Sequence, residues 1–209
     1  WSSLNDANYH EIAHSLRRHF GKGGVSEGAA LYNFVDNHDV DRVASRLEAA
    51  RLLYPLYALL FTMPGMPSLY YGSEFALTGS KEAGDAVLRP AWTDVRSRGA
   101  SRQAQELSAW IAELAHLRSH SGALREGTYE ELSVSHRECA FFRKSGDEEV
   151  VVALNAGEYP TRLELTGLSG TTPGTELVSL FDERTRTPVS DGAATVEVPA
   201  AGCVIARLE

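Results

Sequence analysis

Apolar positions in the first 120 residues recur at helical spacing in three stretches. In residues 9–20 they share one helix face behind Asn8, whose side chain can cap the first turn. Residues 44–61 repeat the pattern, and Pro55 either kinks this helix or marks where it truly begins. Residues 101–118 form a third amphipathic stretch. The spacing therefore predicts three helices in this part of the chain.

Short, uninterrupted apolar runs lie between these helical stretches. Leu31–Val35 and Ser68–Gly72 are apolar and rich in aromatic residues, which predicts two buried strands. Met63–Pro67 predicts a sharp turn before the second strand, and Thr78–Gly99 is polar and contains glycines, which predicts an excursion from the core. Buried strands that alternate with amphipathic helices are typical of a parallel α/β architecture.

The pattern changes to short strands after Gly122. Glu138–Lys144 and Glu149–Asn155 flank a short S-G-D-E segment, which predicts a β-hairpin. Further strand-like runs between glycine and proline turns are Thr161–Leu165, Thr175–Ser179, Ala194–Val198 and Cys203–Leu208. This spacing predicts an antiparallel β-sandwich, so the fold class is α/β plus all-β.

The change of pattern divides the chain into two predicted domains, residues 1–120 and 121–209, with the boundary near Ser119–Gly127. A chain of 209 residues has room for both. A net charge of −8 without a basic stripe is unfavourable for binding nucleic acid or an anionic membrane. Leu52–Gly72 has about the length of a membrane span, but prolines and a glycine interrupt it. We therefore expect no nucleic-acid partner and no membrane partner.

Cys139 and Cys203 are the cysteines of the chain, and no cysteine or histidine spacing indicates a zinc site. Two buried free thiols are the favoured interpretation over a disulfide. Residue 1 is Trp and no signal-type segment follows it, so we expect the chain to have been excised from a longer polypeptide. The sequence leaves the localisation unknown, with a bacterial cytoplasmic one as the expectation.

Acidic and polar side chains crowd behind the first predicted strand, in N-F-V-D-N-H-D-V-D-R (33–42). In parallel α/β proteins, ligand chemistry gathers at the carboxyl ends of the strands. Three interpretations fit these residue types. One is capping of the next helix by Asp39 or Asp41. Another is catalysis or substrate binding. The third is a metal site with the ligands Asp36, His38, Asp39 and Asp41.

This segment resembles the last short motif of the α-amylase family (glycoside hydrolase family 13), at the end of the seventh strand of a (β/α)8 barrel. Pro64–Glu74 resembles the family's eighth strand and its exit, and Arg89–Trp92 resembles part of the excursion that follows. Leu114–Arg118 and then Gly122–Tyr129 resemble the last barrel helix and its continuation into the C-terminal domain. The resemblance implies the C-terminal part of a (β/α)8 TIM barrel followed by an antiparallel β-sandwich domain.

The resemblance also implies roles for single residues. A retaining glycosidase needs a carboxylate nucleophile and a second carboxyl group as acid and base, about 5 Å apart. A third carboxylate binds the distorted, positively charged sugar better than the relaxed one. By resemblance, Asp39 is this catalytic third carboxylate and His38 binds the same sugar. Asn37, Arg42 and Arg89 are the further substrate-binding residues. Asn37 and Arg42 would orient the pair, with Arg42 keeping Asp39 ionised.

The other catalytic residues of the family are not recognisable in the chain. The nucleophile follows a G-x-R-x-D pattern, which does not occur in the 209 residues, and the acid/base belongs to the fifth strand. The resemblance thus implies a fragment of a retaining enzyme that acts on α-glucans such as starch or maltodextrin, by hydrolysis or transfer. The parent protein would be an enzyme, and this chain alone would be inactive.

Two departures from the family pattern concern neighbouring residues. Val40 stands where relatives often carry a hydroxyl residue, and Ser73 stands where an acid is common before Glu74. For Glu74, a solvated or structurally paired carboxylate is the favoured interpretation. Tyr70, Tyr71 and Trp92 have the rings to stack on sugars, although core packing is favoured for the two tyrosines.

No cofactor is assigned, because the calcium sites of the family involve upstream segments. The expected partners are the α-glucan substrate and the upstream part of the barrel. Two parallel strands alone leave open edges, so we expect a marginally stable fragment unless it self-associates, swaps elements or is joined to the rest of the barrel. The alternative function is a non-catalytic carbohydrate-binding or interaction module, which would need a row of exposed aromatic residues on the β-sandwich. The aromatic residues there, which fit core positions better, are Tyr129, Phe141, Phe142, Tyr159 and Phe181.

Overall fold

The computed structural model describes residues 1–169 and 172–209. Its helices are α1 (Ser2–Asn5), α2 (Tyr9–Phe20), α3 (Val43–Arg46), α4 (Leu53–Thr62), α5 (Asp85–Leu88), α6 (Trp92–Arg98), α7 (Arg102–His120) and α8 (Gly122–Glu126). Its strands are β1 (Tyr32–Phe34), β2 (Met66–Ser68), β3 (Thr128–Val134), β4 (Glu138–Ser145), β5 (Glu148–Asn155), β6 (Thr161–Thr166), β7 (Glu176–Ser179), β8 (Arg186–Pro188), β9 (Ala193–Val198) and β10 (Gly202–Leu208). Within these described ranges, no helix is long and apolar enough to cross a membrane.

The predicted helices form where local capping supports them. The side chain of Asn8 accepts a hydrogen bond from the backbone N–H of His10 at the start of α2. Ser101 caps α7 in the same way, accepting from the N–H of Ala104. Pro55 lies in the first turn of α4, where its missing N–H costs no helical hydrogen bond. The stretch 44–61 is therefore α3, a 3₁₀ turn and α4 rather than one kinked helix.

The strands β1 and β2 pair in parallel, with Tyr32 opposite Met66 and Phe34 opposite Ser68. The prediction of a strand over Ser68–Gly72 is thus wrong in position, because pairing begins directly after the turn at Gly65. Gly65 has a φ of 100°, and a Cβ there would lie 2.5 Å from the carbonyl oxygen of Leu31. This close approach requires glycine and sets where β2 starts.

The prediction that these two strands are buried is also wrong. Tyr32 is 65% exposed and Phe34 is 44% exposed, and Met66 of β2 is exposed as well. Among the described residues, β1 and β2 form a sheet of their own, so their outer edges have no neighbouring strand. Apolar side chains and backbone groups that a larger sheet would cover therefore face solvent.

The C-terminal strands form two antiparallel sheets. In the described part of the chain, one sheet has the order β3-β4-β5-β10-β7-β8 and the other pairs β6 with β9. The predicted hairpin is confirmed as β4 and β5, with Glu138 opposite Asn155. The strands β3 and β8 are additions to the predicted set, since neither has a clear run of apolar residues.

The larger sheet is covered on both faces. Phe141 belongs to a buried group shared with α2, α4 and α7, whereas the next residue, Phe142, belongs to a second group shared with β6 and β9. Core positions are confirmed for Tyr129, Phe141 and Phe142, but the core prediction is wrong for Tyr159, which is 76% exposed at a loop. The side chain of Phe181 is half-buried and stacks on Trp110.

The two cysteines are free and buried, which confirms the favoured interpretation. Strand β5 lies between β4 and β10. Cys139 of β4 and Cys203 of β10 are each paired with Leu154 of β5, on opposite sides of that strand. Burial raises the pKa of each thiol to about 12, so neither is a ready nucleophile.

Two buried arginines join the helices to the strand pair and the sheet. Arg118 of α7 donates to the carbonyl oxygens of Phe61 at 2.8 Å and Met63 at 3.2 Å, at the end of α4. Arg143 of β4 donates to the carbonyl of Thr62 at the same helix end. The last carbonyls of a helix lack helical donors and carry partial negative charge, so they stabilise cations. Burial lowers the pKa of Arg118 to about 10 and that of Arg143 to about 9.

The uncovered strand pair predicts self-association. We expect the apparent molar mass of the purified chain in light scattering to rise with concentration, because association would bury Tyr32, Phe34 and Met66. Phe34→Lys should reduce this rise, since a charged side chain at an open edge disfavours pairing. The control is Tyr159→Lys, which changes an exposed aromatic residue elsewhere and should leave the rise intact. A chain that stays monomeric at every concentration would contradict the prediction.

Candidate functional site

The candidate site lies where β1 and β2 end. Residues 36–42 follow β1, and residues 69–75 follow its parallel neighbour β2, so both segments leave the same end of the strand pair. This is the end at which parallel α/β proteins gather ligand-binding loops.

Asp36, the first acidic residue of the segment, is buried and structural. Its Oδ2 accepts hydrogen bonds from the N–H of Val43 at 2.9 Å and from the hydroxyl of Ser73 at 2.8 Å. Burial raises the pKa of Asp36, and these hydrogen bonds and the charge of Arg42 offset the rise in part. Asp36 therefore stabilises the start of α3 and links it to the exit of β2.

The interpretation that Asp39 or Asp41 caps the next helix, α3, is wrong. The residue that binds the first N–H of α3 is Asp36, rather than Asp39 or Asp41. Asp41 instead accepts from the N–H of Lys81 at 2.6 Å, at the start of the 3₁₀ turn Lys81–Ala83, and this bond is the main reason that its pKa is lowered. Asp39 caps no helix, so its side chain remains available for other contacts.

Arg42, the last residue of the segment 36–42, is fully buried. Its Nη1 donates to the carbonyl of Tyr71 at 2.7 Å and to the hydroxyl of Ser73 at 3.2 Å. Its Nη2 donates to the carbonyl of Leu88 at 2.6 Å, and its guanidinium lies 4.1 Å from the ring centroid of Tyr70. Arg42 therefore connects the exits of both strands with the end of α5.

The cation beside Asp39 is Arg89, not Arg42 as predicted. Nη2 of Arg89 donates to Oδ1 of Asp39 at 3.2 Å, and Nε of Arg89 donates to the carbonyl of His38 at 3.3 Å. Nε2 of His38 lies 3.1 Å from Oδ2 of Asp39. Asn37 accepts from the N–H of Asp39 at 2.8 Å, which fixes the turn. The structure thus brings four of the five predicted residues together and places Arg42 elsewhere.

The carboxylate of Asp39 faces solvent within this group. Its side chain is 59% exposed, although both oxygens have a partner. An exposed carboxylate held between an imidazole and a guanidinium can accept hydrogen bonds from hydroxyl groups of a bound ligand. The group therefore has the chemistry of a polyol-binding site.

Asp85 is a site residue that is not among the predicted ones. Its Oδ2 lies 3.8 Å from Nη2 of Arg89, and its Oδ1 accepts from Lys81 at 2.6 Å. The hydrogen bond from Lys81 is the main reason that the pKa of Asp85 is lowered. The signal in the sequence is the four-residue spacing from Asp85 to Arg89, which suits an ion pair on a helical turn.

Aromatic rings border this group. Tyr70 and Tyr71 are half-buried, and the ring centroid of Tyr70 lies 6.3 Å from that of His38. The hydroxyl of Tyr71 donates to the carbonyl of Pro90 at 2.8 Å, which orients its ring. Trp92 is exposed next to Tyr71. Both tyrosine rings thus lie against the guanidinium of Arg42, and Tyr70 also lies near His38.

Two further observations concern acidic residues that the sequence singled out. Oε2 of Glu74 is buried and has no hydrogen-bond partner among the described residues, so this carboxylate is neither solvated nor paired at that oxygen. Within residues 1–169 and 172–209, no three His, Cys, Asp or Glu side chains are placed to hold a metal ion. Asp36 and Asp41 are engaged with backbone N–H groups, which explains why the metal interpretation of the segment fails.

The N-terminal half of the chain matches a known family of catalytic domains. A sequence model described as "Alpha amylase, catalytic domain" matches residues 4–116. The cyclomaltodextrin glucanotransferase of Paenibacillus macerans is 31% identical over 175 residues, which cover 82% of this chain and 23% of that protein. The α-amylase MalA of Haloarcula japonica is 31% identical over 185 residues, which cover 84% and 24%. The chain spans about a quarter of the length of these curated relatives.

Solved structures have the same fold. The α-amylase of Geobacillus thermoleovorans, complexed with acarbose, matches 99% of this chain and 45% of that chain with a TM-score of 0.76 at 18% identity. The Anoxybacillus α-amylase matches 99% and 44% with a TM-score of 0.74 at 23% identity. Both solved structures are α-amylases with a TIM barrel, and the chain matches less than half of each. The chain belongs to the α-amylase family of glycoside hydrolases, which confirms the resemblance.

The buried carboxyl group of Asp36 predicts a pH-dependent stability. Because its pKa is raised in the folded state, folding retains a proton that the unfolded chain releases. The stabilising contribution is full below about pH 4, the ordinary range of an aspartate, and is lost as the pH rises through the raised folded pKa. The free energy of unfolding of Asp36→Asn, relative to the unchanged chain, should therefore rise across this window in urea titrations.

The control for this experiment is Asp147→Asn, an exposed change in the turn between β4 and β5. Its stability curve should run parallel to that of the unchanged chain. If the curve of Asp36→Asn ran parallel as well, the folded pKa of Asp36 would not be raised.

Proposed function

We propose that the chain is the C-terminal part of a retaining, α-glucan-acting glycoside hydrolase or transglycosylase. In this proposal residues 1–120 supply strands seven and eight of the catalytic (β/α)8 barrel with their flanking helices. Residues 121–209 form a C-terminal antiparallel β-sandwich domain. The parallel pairing of β1 with β2 supports the first assignment, and the facing antiparallel sheets support the second. The match of the catalytic-domain model to residues 4–116 agrees with this division.

Asp39 is the proposed transition-state-stabilising carboxylate. The observation that carries this role is its exposed position at the carboxyl end of β1, between His38 and Arg89, where it caps no helix. Cleavage of a glycosidic bond develops positive charge on the sugar ring, and a fixed carboxylate stabilises that charge more than the neutral ground state. The ion pair with Arg89 keeps the carboxylate in one orientation before substrate binds.

His38 and Arg89 are the proposed substrate-binding residues beside Asp39, and Asn37 holds the turn that presents them. Arg42 is buried and binds the carbonyls of Tyr71 and Leu88, so it positions the loops of the site rather than touching the sugar. Hydroxyl-rich ligands suit this set, because imidazole and guanidinium groups donate hydrogen bonds and the carboxylate accepts them.

An α-glucan oligosaccharide or polysaccharide is the proposed substrate. The relatives above are glucanotransferases and α-amylases, and solved neighbours carry acarbose, maltose or maltotriose according to their descriptions. Linkage and the choice between hydrolysis and transfer belong to the rest of the barrel in this proposal.

The chain alone carries one catalytic carboxylate of the proposed three. The G-x-R-x-D pattern of the family's nucleophile does not occur in the sequence. Catalytic groups that act as a unit lose most of their rate enhancement when one partner is removed. The proposal therefore assigns the glycosidase activity to a larger protein that contains this chain.

The first test is an activity assay with the purified chain. We expect no release of reducing ends from maltodextrin above the blank, because the nucleophile and the acid/base are missing. Turnover that Asp39→Asn abolishes would contradict the predicted inactivity and support the role of Asp39. Turnover that Asp39→Asn leaves unchanged would contradict both.

The second test is an NMR titration of the chain with maltotriose. The backbone amide signals of residues 37–39 and 89 report the expected weak binding. We expect saturable shifts with a dissociation constant on the order of millimolar. Asp39→Asn should weaken binding about tenfold, since a hydrogen bond to a charged group contributes ~1.5 kcal/mol or more. The control Asp191→Asn alters an exposed turn residue away from the site and should leave the affinity unchanged. Equal affinities for both variants would remove Asp39 from the binding site.

A further inference from the structure

Two exposed histidines lie side by side near the end of α7. His116 and His120 are four residues apart, which places them on the same face of the helix. Their ring centroids are 4.2 Å apart and the ring planes are tilted by 42°. Imidazoles so close to each other can direct one nitrogen each toward the same ion.

The hydrogen bonds of His120 leave its Nε2 available to bind a metal ion. Its Nδ1 lies 2.9 Å from the backbone carbonyl oxygen of His116. A carbonyl oxygen can only accept, so Nδ1 carries the proton and Nε2 of the neutral ring holds a lone pair. Metal-binding histidines commonly donate their other N–H to a carbonyl in this way, which fixes the ring and its tautomer.

The neighbouring hydroxyl agrees with this assignment. The hydroxyl of Ser119 donates to the carbonyl of His116 at 2.7 Å, so its oxygen is left to accept from Nδ1 of His120 at 2.9 Å. The same tautomer of His120 therefore satisfies both contacts.

The end of α7 also has a favourable electrostatic environment. The pair lies in the last two turns of a helix of 19 residues, where the carbonyl groups carry partial negative charge. The neighbouring cations point to carbonyl oxygens: Arg118 is turned to the end of α4, and Arg125 donates to Ser119 at 2.6 Å. Both guanidinium groups are thus engaged with the backbone.

A second pair of histidines has the same spacing but a different geometry. His10 and His14 are both exposed on α2, yet the ring of His10 packs edge-on against His136 at 5.3 Å. Among the described residues, no ring contact joins His10 to His14. The pair on α7 is therefore distinguished by its geometry and not by spacing alone.

We propose that His116 and His120 form a bidentate surface site for a divalent first-row transition-metal ion. Cu²⁺ should bind most strongly, followed by Ni²⁺, because imidazole sites generally follow the Irving–Williams order. In the described part of the chain no third His, Cys, Asp or Glu completes the site, so water fills the remaining positions. The site is independent of the proposed glycosidase function, because none of its residues belongs to the group around Asp39.

The test is a calorimetric titration of the untagged chain with Cu²⁺ at about pH 7.5, where free imidazole is mostly neutral. We expect one tightest site per chain. His116→Gln and His120→Gln should each weaken it at least about tenfold, the loss that even changes outside the first ligand shell typically cause. Glutamine is a good helix former and both positions are exposed, so a circular-dichroism melt should show that the variants fold as the unchanged chain does.

His14→Gln and His10→Gln are the matched controls, since they remove exposed histidines with the same spacing on another helix. Both should leave the tightest site intact. The proposal would be overturned if the unchanged chain bound no Cu²⁺. It would also be overturned if the variants at 116 and 120 bound as tightly as the controls, or if a control variant lost the site instead.

Discussion

The buried guanidinium of Arg42 is the interaction on which the arrangement of the candidate site depends. It binds the carbonyl groups of Tyr71 and Leu88, and it shares the hydroxyl of Ser73 with the carboxylate of Asp36. A buried charge is costly unless polar groups and an opposite charge accompany it. Carbonyls, a hydroxyl and a nearby carboxylate meet this requirement at the two Nη atoms, whereas Nε of Arg42 is buried without a hydrogen-bond partner among the described residues.

The consequence for Asp39 follows from chain connectivity. The loop that carries Asp39 begins at Asp36 and ends at Arg42, and both ends are held in this network. Arg89 directly follows Leu88, whose carbonyl Arg42 also binds. The network therefore brings Asp39 and Arg89 side by side without touching either of them. Ser73, which departs from the usual family pattern, is the hydroxyl bridge at its centre.

The features that were predictable from the sequence are those that depend on residues close along the chain. The cap Asn8 and the β4–β5 hairpin follow local rules, and the ordered family motifs led to the group around Asp39. The role of Arg42 was not predictable locally, because its acceptors lie 29 to 46 residues away. The exposure of β1 was not predictable either, since an apolar run shows that a strand can be buried but not whether a neighbour covers it.

The arginines at the end of α4 bear on how the chain acquires its structure. Thr62 and Arg143 are 81 residues apart, and Phe61 and Arg118 are 57 apart. The last carbonyls of α4, which lead directly into the turn before β2, therefore obtain their donors only after α7 and the β3–β4 hairpin have reached them. Buried carbonyls without donors are unfavourable. The end of α4 and the C-terminal sheet are thus linked by these hydrogen bonds, and a cut between residues 120 and 121 would separate Arg143 from the carbonyl of Thr62.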